Sequence, residues 1–518
     1  MNKHLSIGLT ALAVCVAPPD VNAAIIEVDG TNIATLSAAV NQAKTTPDGP
    51  HTINITAANI TDNAPVYITE AITINGDPNG TGNKADILVD IPALRAAAPP
   101  SAAAPDNRAY IVIETTGVVE ISDLKIHPNE DGTDDIDNDA LKVDAARLLK
   151  PAAEGNGEYN FRRVFISGSD ENNEYISLET GDNIYDTAAK KWSGGNTANA
   201  VIQMSNQRAA GGTGTYGVLL KDCHVGLGKG PGINSPVTGG NARRIEGGLY
   251  GHVGRDGISV SGTQVQIVGT PDNRVRIVRP ASIGGLNAHG LEIRAGGRIA
   301  QLYYTDVATW KSANALKAEG GDSRFVDIQH LRVLGKHLTP EEPGINAAVY
   351  LQNTIRLTMT NSTVHGSGSH PTPLESHNSN FGGQVAIEQS IFTSQFGGQM
   401  HTHRTGTEIP YSVKDGAVAI DGTANESLQL AAPIVGNNSD GIFTNNINES
   451  PNYQLTLDDY DWTDRQGADN PLNGPGNNNV LRPTNPAYLT AGPGGTPLYG
   501  GAGPSLASIA PEVWMLME

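Results

Sequence analysis

Apolar and polar positions alternate along most of this chain, and between Arg255 and Leu351 the alternation returns in one phrase: RDGISV, AHGLEI, ANALKA and INAAVY. Each phrase carries a polar residue (Asp256, His289, Asn314, Asn346), then Gly or Ala, then period-two apolar positions. The polar residues stand 33, 25 and 32 residues apart. Between the phrases run AQLYYTDVAT, FVDIQHLRVLG and IRLTMTNSTVHG, paired strand patterns broken by a polar turn. A repeat of about 20–50 residues built from short strands, without intervening helices, predicts a solenoid whose coils must stack to bury a continuous apolar column. The fold class is therefore all-β, a parallel β-helix. Stacked coils bring equivalent residues about 4.8 Å apart, and a column of Asn and Asp can satisfy turn amides with side-chain oxygens.

The N-terminal part reads differently. Ala34 to Ala43 has Leu36, Ala39, Val40 and Ala43 at helical spacing, and the short strands HTINIT and AITINGD follow. A valine-aspartate-glycine start, a short amphipathic helix, then TINIT and ITINGD resemble the N-terminal cap of the pectin-lyase-like family. That resemblance implies a single-stranded right-handed parallel β-helix, capped by the helix, with long loop insertions walling a groove. Insertions are expected near 91–107, 168–214 and 366–383, and the Gly/Pro/Asn-rich segment 466–518 is expected to drape over the last coils. The β-helix domain itself spans 24–465, its cap at about 24–60.

Residues 1–23 read as a secretory signal: Lys3 and His4, an apolar run from Leu5 to Ala17, and small residues before a cut ahead of Ala24. That run is too short to span a membrane, so the protein is expected to be secreted or periplasmic. With the signal removed, Cys223 is the only cysteine, so a large core rather than disulfides must hold the chain. The formal charge of −20 argues against nucleic acid as a partner. The stretch from Asn241 to Pro340 nevertheless holds 13 Lys and Arg against 8 Asp and Glu, a balance of +5 that leaves −25 for the remainder. A local patch of that sign suits an acidic polysaccharide.

Candidate chemistry falls on the same coils. Aligning AHGLEIR with ANALKAE sets Glu292 opposite Lys317 and Arg294 opposite Glu319, with His289 at the rim. One reading is a stabilising cross-strand ladder. The resemblance implies another: lyases of this fold remove the C5 proton of a uronic acid with a Lys, Arg or His base while Arg or calcium neutralises the carboxylate. Lys317 is then the base, Arg294 grips the carboxylate, His289 is a second acid/base candidate, and Glu292 orients the lysine. Arg298, Arg324, His330 and Arg332, close along the chain, are substrate-binding candidates. For metal, Asp131, Asp134, Asp135, Asp137 and Asp139 offer the hard oxygen ligands that calcium requires, at spacings unlike an EF-hand. His401 and His403, two apart on one strand face, could ligate a transition metal, but spacing identifies no third ligand. The leading functional expectation is an exported polysaccharide lyase. Alternatives are a glycoside hydrolase on the same fold, which would need two carboxylates across the scissile bond, and a non-catalytic adhesin.

Overall fold

The computed structural model describes residues 23–483 apart from 48, 91–92, 95–108, 129–143, 168–199, 205–213, 229, 236–241, 254, 262–263, 279–288, 295–298, 310–313, 336–347, 367–373, 379–383, 389–390, 395–400, 405–406, 409–410, 415–416, 421–440, 445–452 and 455–481, with no burial or contact assigned beyond Leu374. Residues 1–22 of the expected signal, the acidic run and most of the expected insertions and C-terminal segment lie outside the described residues. Among the described residues no helix is long and apolar enough to cross a membrane.

Strands follow one another in a fixed rotation among three faces. His51–Ile55 is on the first face, Asn59–Asp62 on the second and Val66–Ile68 on the third; Ile72–Asn75 then returns to the first, in parallel register one rung along. This is a parallel β-helix. Pairing joins 24 strands in one network and 12 in another. The larger network is the first and third sheets joined, because Asn314–Gln329 and Val349–Thr360 each run round a corner from the third to the first. At the corner between Glu319 and Arg324 the register slips.

The inward positions of each face stack as the alternation predicts. On the first sheet Ile53, Ile74, Ile121, Phe161, Leu220 and Ile245 are successive partners, and all are buried. Val66, Ile111, Ala146, Ile202, Ile233, Ile258, Leu291, Leu316, Val349 and Leu374 do the same on the third. No rung buries its column without its neighbours, so stability is shared along the stack.

The helix forms at Leu36–Thr45, two residues later than the spacing places it. Thr35 caps it by accepting from the Ala38 N–H. Leu36, Ala39, Val40 and Ala43 enter the main core cluster, and the strand before the helix, Ile25–Val28, is the first rung of the first sheet. A buried carboxylate of the second sheet ties the helix to the third: Asp62 accepts from the Ser37 N–H at 2.8 Å, from Ser37 Oγ at 2.6 Å and from Tyr110 OH at 3.0 Å. An anion at a helix N-terminus satisfies amides the helix itself cannot.

In seven coils the turn from first to second sheet carries a left-handed residue. Asp123, Arg163, Asp222, Gly247, Tyr304, His330 and Asn361 all have φ between 47° and 61°, each standing between a first-sheet and a second-sheet strand. These are the polar turns seen in the sequence, and their repetition fixes the register in which the coils close. Cys223 follows one of them, buried, its thiol pushed up to about 12 by burial. Such a thiol is unreactive.

Candidate functional site

The outward face of the third sheet carries a polar column that the core column dictates. Because Ile258, Leu291, Leu316 and Val349 point inward, the residues that follow each of them fall on the other face. Along it Gln203, Asn234, Ser259, Glu292, Lys317 and Tyr350 are successive register partners. Asn234 Nδ2 donates to Gln203 Oε1 at 3.0 Å, and Ser259 Oγ donates to Glu292 Oε2 at 2.9 Å.

Glu292 is the hub. Its Oε2 also accepts from Arg294 Nε at 2.7 Å, while Oε1 lies 3.4 Å from Lys317 Nζ and 3.9 Å from His289 Nε2. Burial alone would raise this carboxyl, but the charge and hydrogen bond of Arg294, the charge of His289 and the bond from Ser259 outweigh it and hold it below its ordinary value. Exposure is graded across the cluster. The side chains of His289 and Glu292 are 4% and 8% accessible, whereas Lys317 and Arg294 reach 20% and 39%. A ligand approaching this face meets two cations first, with the carboxylate beneath them.

A second carboxylate lies one rung away. Asp256 is 2% exposed and its Oδ1 accepts from the His289 N–H at 2.6 Å, as expected of the polar column at the phrase starts. Burial, with the nearby charge of Glu292, pushes its carboxyl from 3.8 up to about 6. The folded form therefore keeps its proton to about 6 while the unfolded aspartate releases it near 3.8. The associated stability is full below pH ~4 and is lost as pH rises towards 6. Replacing Asp256 with Asn removes that loss and leaves an oxygen for the His289 amide. Urea unfolding should show Asp256→Asn more stable by roughly 2–4 kcal/mol at pH 7.5 and no more stable at pH 4. Equal gains at both pH values would contradict this account.

The structure brings together Lys317, Arg294, His289 and Glu292, and the Glu292–Lys317 pairing is the one the repeat alignment predicts. Arg294, one residue past the end of the strand His289–Ile293, bonds back to Glu292 within it. Arg298 lies outside the described residues. Arg324 sits at the corner between third and first sheets, in register with Thr354. His330 is elsewhere: it is one of the left-handed turn residues, and its ring stacks on Tyr304 of the preceding turn at 4.2 Å. Burial, then the charge of Arg274, lowers it to about 4. Arg332 is on the second sheet, 1% exposed, bonded through Nε to Asp306 at 2.7 Å. The acidic run Asp131, Asp134, Asp135, Asp137 and Asp139 lies outside the described residues, and among the residues with assigned contacts no group of three or more His, Cys, Asp or Glu is placed to hold a metal. Ser259 is the member the sequence reading missed. Its signal was present, since RDGISV puts Ser259 where AHGLEI has Glu292.

Comparison with known proteins adds no relative to this picture: no family model, no curated protein and no solved structure matches the chain.

Proposed function

We propose that this protein is exported, binds an acidic, uronic-acid polysaccharide across the outer face of its third sheet, and cleaves it by β-elimination. The observation that carries the reading is the graded cluster at Glu292: two partly exposed cations, Arg294 and Lys317, held in place by a carboxylate buried beneath them. Isolated surface cations are mobile; these two are oriented by one anchor, which suits a carboxylate arriving from solvent. The parallel β-helix and the resemblance of its cap to pectin-lyase-like proteins favour the same substrate class.

In the reaction, Arg294 takes the uronate carboxylate and makes the adjacent C5 proton more acidic. Lys317 in its neutral form removes that proton. The electron pair left on C5 forms the C4–C5 double bond, the C4–O bond breaks, and the departing oxygen takes a proton from solvent or an acid of the site. Glu292 positions Lys317 and Arg294. His289, behind Glu292, acts on that positioning, and Ser259 fixes the second oxygen of Glu292. The aspartates from Asp131 to Asp139 make calcium a sensible addition to any assay.

A hydrolase is the second reading, and one observation favours it: the environments of Asp256 and Glu292 push two neighbouring carboxyls in opposite directions, a pattern that separates an acid from a base. One experiment distinguishes the readings. The mature protein is incubated with calcium and a panel of pectate, alginate, chondroitin and other uronate polymers, following absorbance of the unsaturated product and new reducing ends in parallel. Absorbance and reducing ends rising together on one polymer is the expected result. Reducing ends without absorbance would replace the lyase by the hydrolase. Silence in both channels would leave a binding solenoid and make the Glu292–Lys317 pair a structural ladder.

A further inference from the structure

The outward face of the first sheet carries a second organised patch. Ile267, Leu302, Ile328 and Met359 are successive partners there and are fully buried, so the residues beside them face away from the core. Gln266, Gln301, Asp327 and Thr358 are in register across these four rungs, a span of about 14 Å. Tyr303 and Gln329 pair two residues further along. All six side chains are partly exposed.

Hydrogen bonds join the six into one network. Gln266 Nε2 donates to Gln301 Oε1 at 2.7 Å and Gln301 Nε2 to Tyr303 OH at 3.2 Å. The Tyr303 hydroxyl donates to Asp327 Oδ2, Thr358 Oγ1 to Asp327 Oδ1 at 2.8 Å, and Gln329 Nε2 to Asp327 Oδ2 at 3.5 Å. Phe325 stands two residues before Asp327 on the same strand, about 6.6 Å along it and on the same face. Its ring is 48% exposed, and among the described residues it is the only aromatic of the three exposed large hydrophobics, the others being Ile25 and Val118. An exposed ring beside a polar network gains little from the core, and a surface patch of this kind marks a contact site.

Amides, a phenol and a carboxylate fixed side by side offer donors and acceptors to neighbouring hydroxyls, while the negative face of an aromatic ring receives the C–H groups of a sugar. Because the network holds these groups in place beforehand, the ordering cost of binding is small. Charge narrows the ligand. The residues of Gln264–Val268, Ile299–Tyr303, 325–329 and 357–360 include no Lys, Arg or His, and their one charged member is Asp327. A uronate approaching them meets a like charge, whereas a hydroxyl donates to it. We infer that this patch binds a neutral glycan, with hydroxyls on the Gln266–Thr358 network and one sugar ring against Phe325. It lies on a different sheet from the Glu292–Lys317 cluster and does not depend on what that cluster does.

The test is native affinity electrophoresis of the mature protein in gels cast with galactomannan, xyloglucan, arabinoxylan or mixed-linkage β-glucan, with pectate as the acidic comparison. At least one neutral polymer should retard the wild type. Phe325→Ala and Gln301→Ala should each weaken that binding at least tenfold, as expected of an anchor in a contact site, with far-ultraviolet dichroism unchanged. Lys317→Ala should be retarded like wild type. No retardation by any of the four neutral polymers, or affinity within about threefold of wild type in Phe325→Ala, would overturn the site. Loss of retardation in Lys317→Ala would also overturn it, by placing the glycan on the third sheet. Should Gln301→Ala fail to fold, Phe325→Ala decides alone, because its ring stands half in solvent.

Discussion

Replacing Asp306 with alanine should destabilise the protein by about 3–5 kcal/mol, the range found when one partner of a buried ion pair is removed, and should lower the urea midpoint accordingly. Asp306 is 1% exposed on the second sheet and is shared by three guanidiniums. Arg274 Nε and Arg332 Nε each donate to Oδ1 at 2.7 Å, and Arg276 Nε lies 3.9 Å from Oδ2. Arg276, Asp306 and Arg332 are consecutive rungs in register, so one carboxylate holds three coils. Burial alone would raise this carboxyl, yet the charges of Arg274 and Arg332 drive it well below the ordinary carboxylate range. Burial and the neighbouring Arg332 bring Arg274 down to about 9, against the pull of Asp306. Without the carboxylate, three buried cations repel one another in a medium that screens them poorly. Asp306→Asn keeps the volume and should lose most of the same stability, which separates charge from packing. Since the folded carboxyl is depressed, its contribution is present above pH ~4 and is lost as pH falls further; the deficit of Asp306→Asn should therefore shrink in acid. A deficit below 1 kcal/mol at pH 7 would sink this account.

That cluster also shows where sequence reading stops. Arg332 sits opposite Val333 in the alternation, and alternation equates the outward face with solvent. Arg276, Asp306 and Arg332 are outward and buried all the same, a fact that depends on what lies against the second sheet rather than on strand period. His330 was legible as part of a polar turn, but the left-handed backbone that commits it to the turn ladder is not encoded in residue type alone. The strand at Leu374–Asn378 falls inside the segment read as an insertion because only one of its five residues is apolar. Its place as a rung emerges from pairing with the coils on either side. The Glu292–Lys317 pair was legible for the opposite reason. Both residues lie in repeat phrases whose Leu291 and Leu316 share one core column, so aligning the phrases fixes the rung. The parallel β-helix and its capping helix were legible for the same reason, being properties of periodicity.

Lys317→Ala should lower kcat by about 10²–10⁴-fold, the usual worth of a positioned general base, on whichever polymer the protein turns over. KM should change little, because Arg294 keeps its bond to Glu292 and remains to take the carboxylate. Folding should survive, since Glu292 keeps its bonds from Arg294 and Ser259 when Lys317 is removed. Two controls give the result its meaning. Lysine serves as a base only in its neutral form, so wild-type turnover should rise with pH, and the Lys317→Ala profile should be flat over the same range. Lys317→Arg preserves a cation for Glu292 but stays protonated throughout; it should be as inactive as alanine while binding polymer as well as wild type. If the arginine variant were active, Lys317 would be a clamp for the substrate's charge and the base would lie elsewhere, with His289 next in line. If all three proteins turned over alike, the cations on this face would be holding the coils together and nothing more.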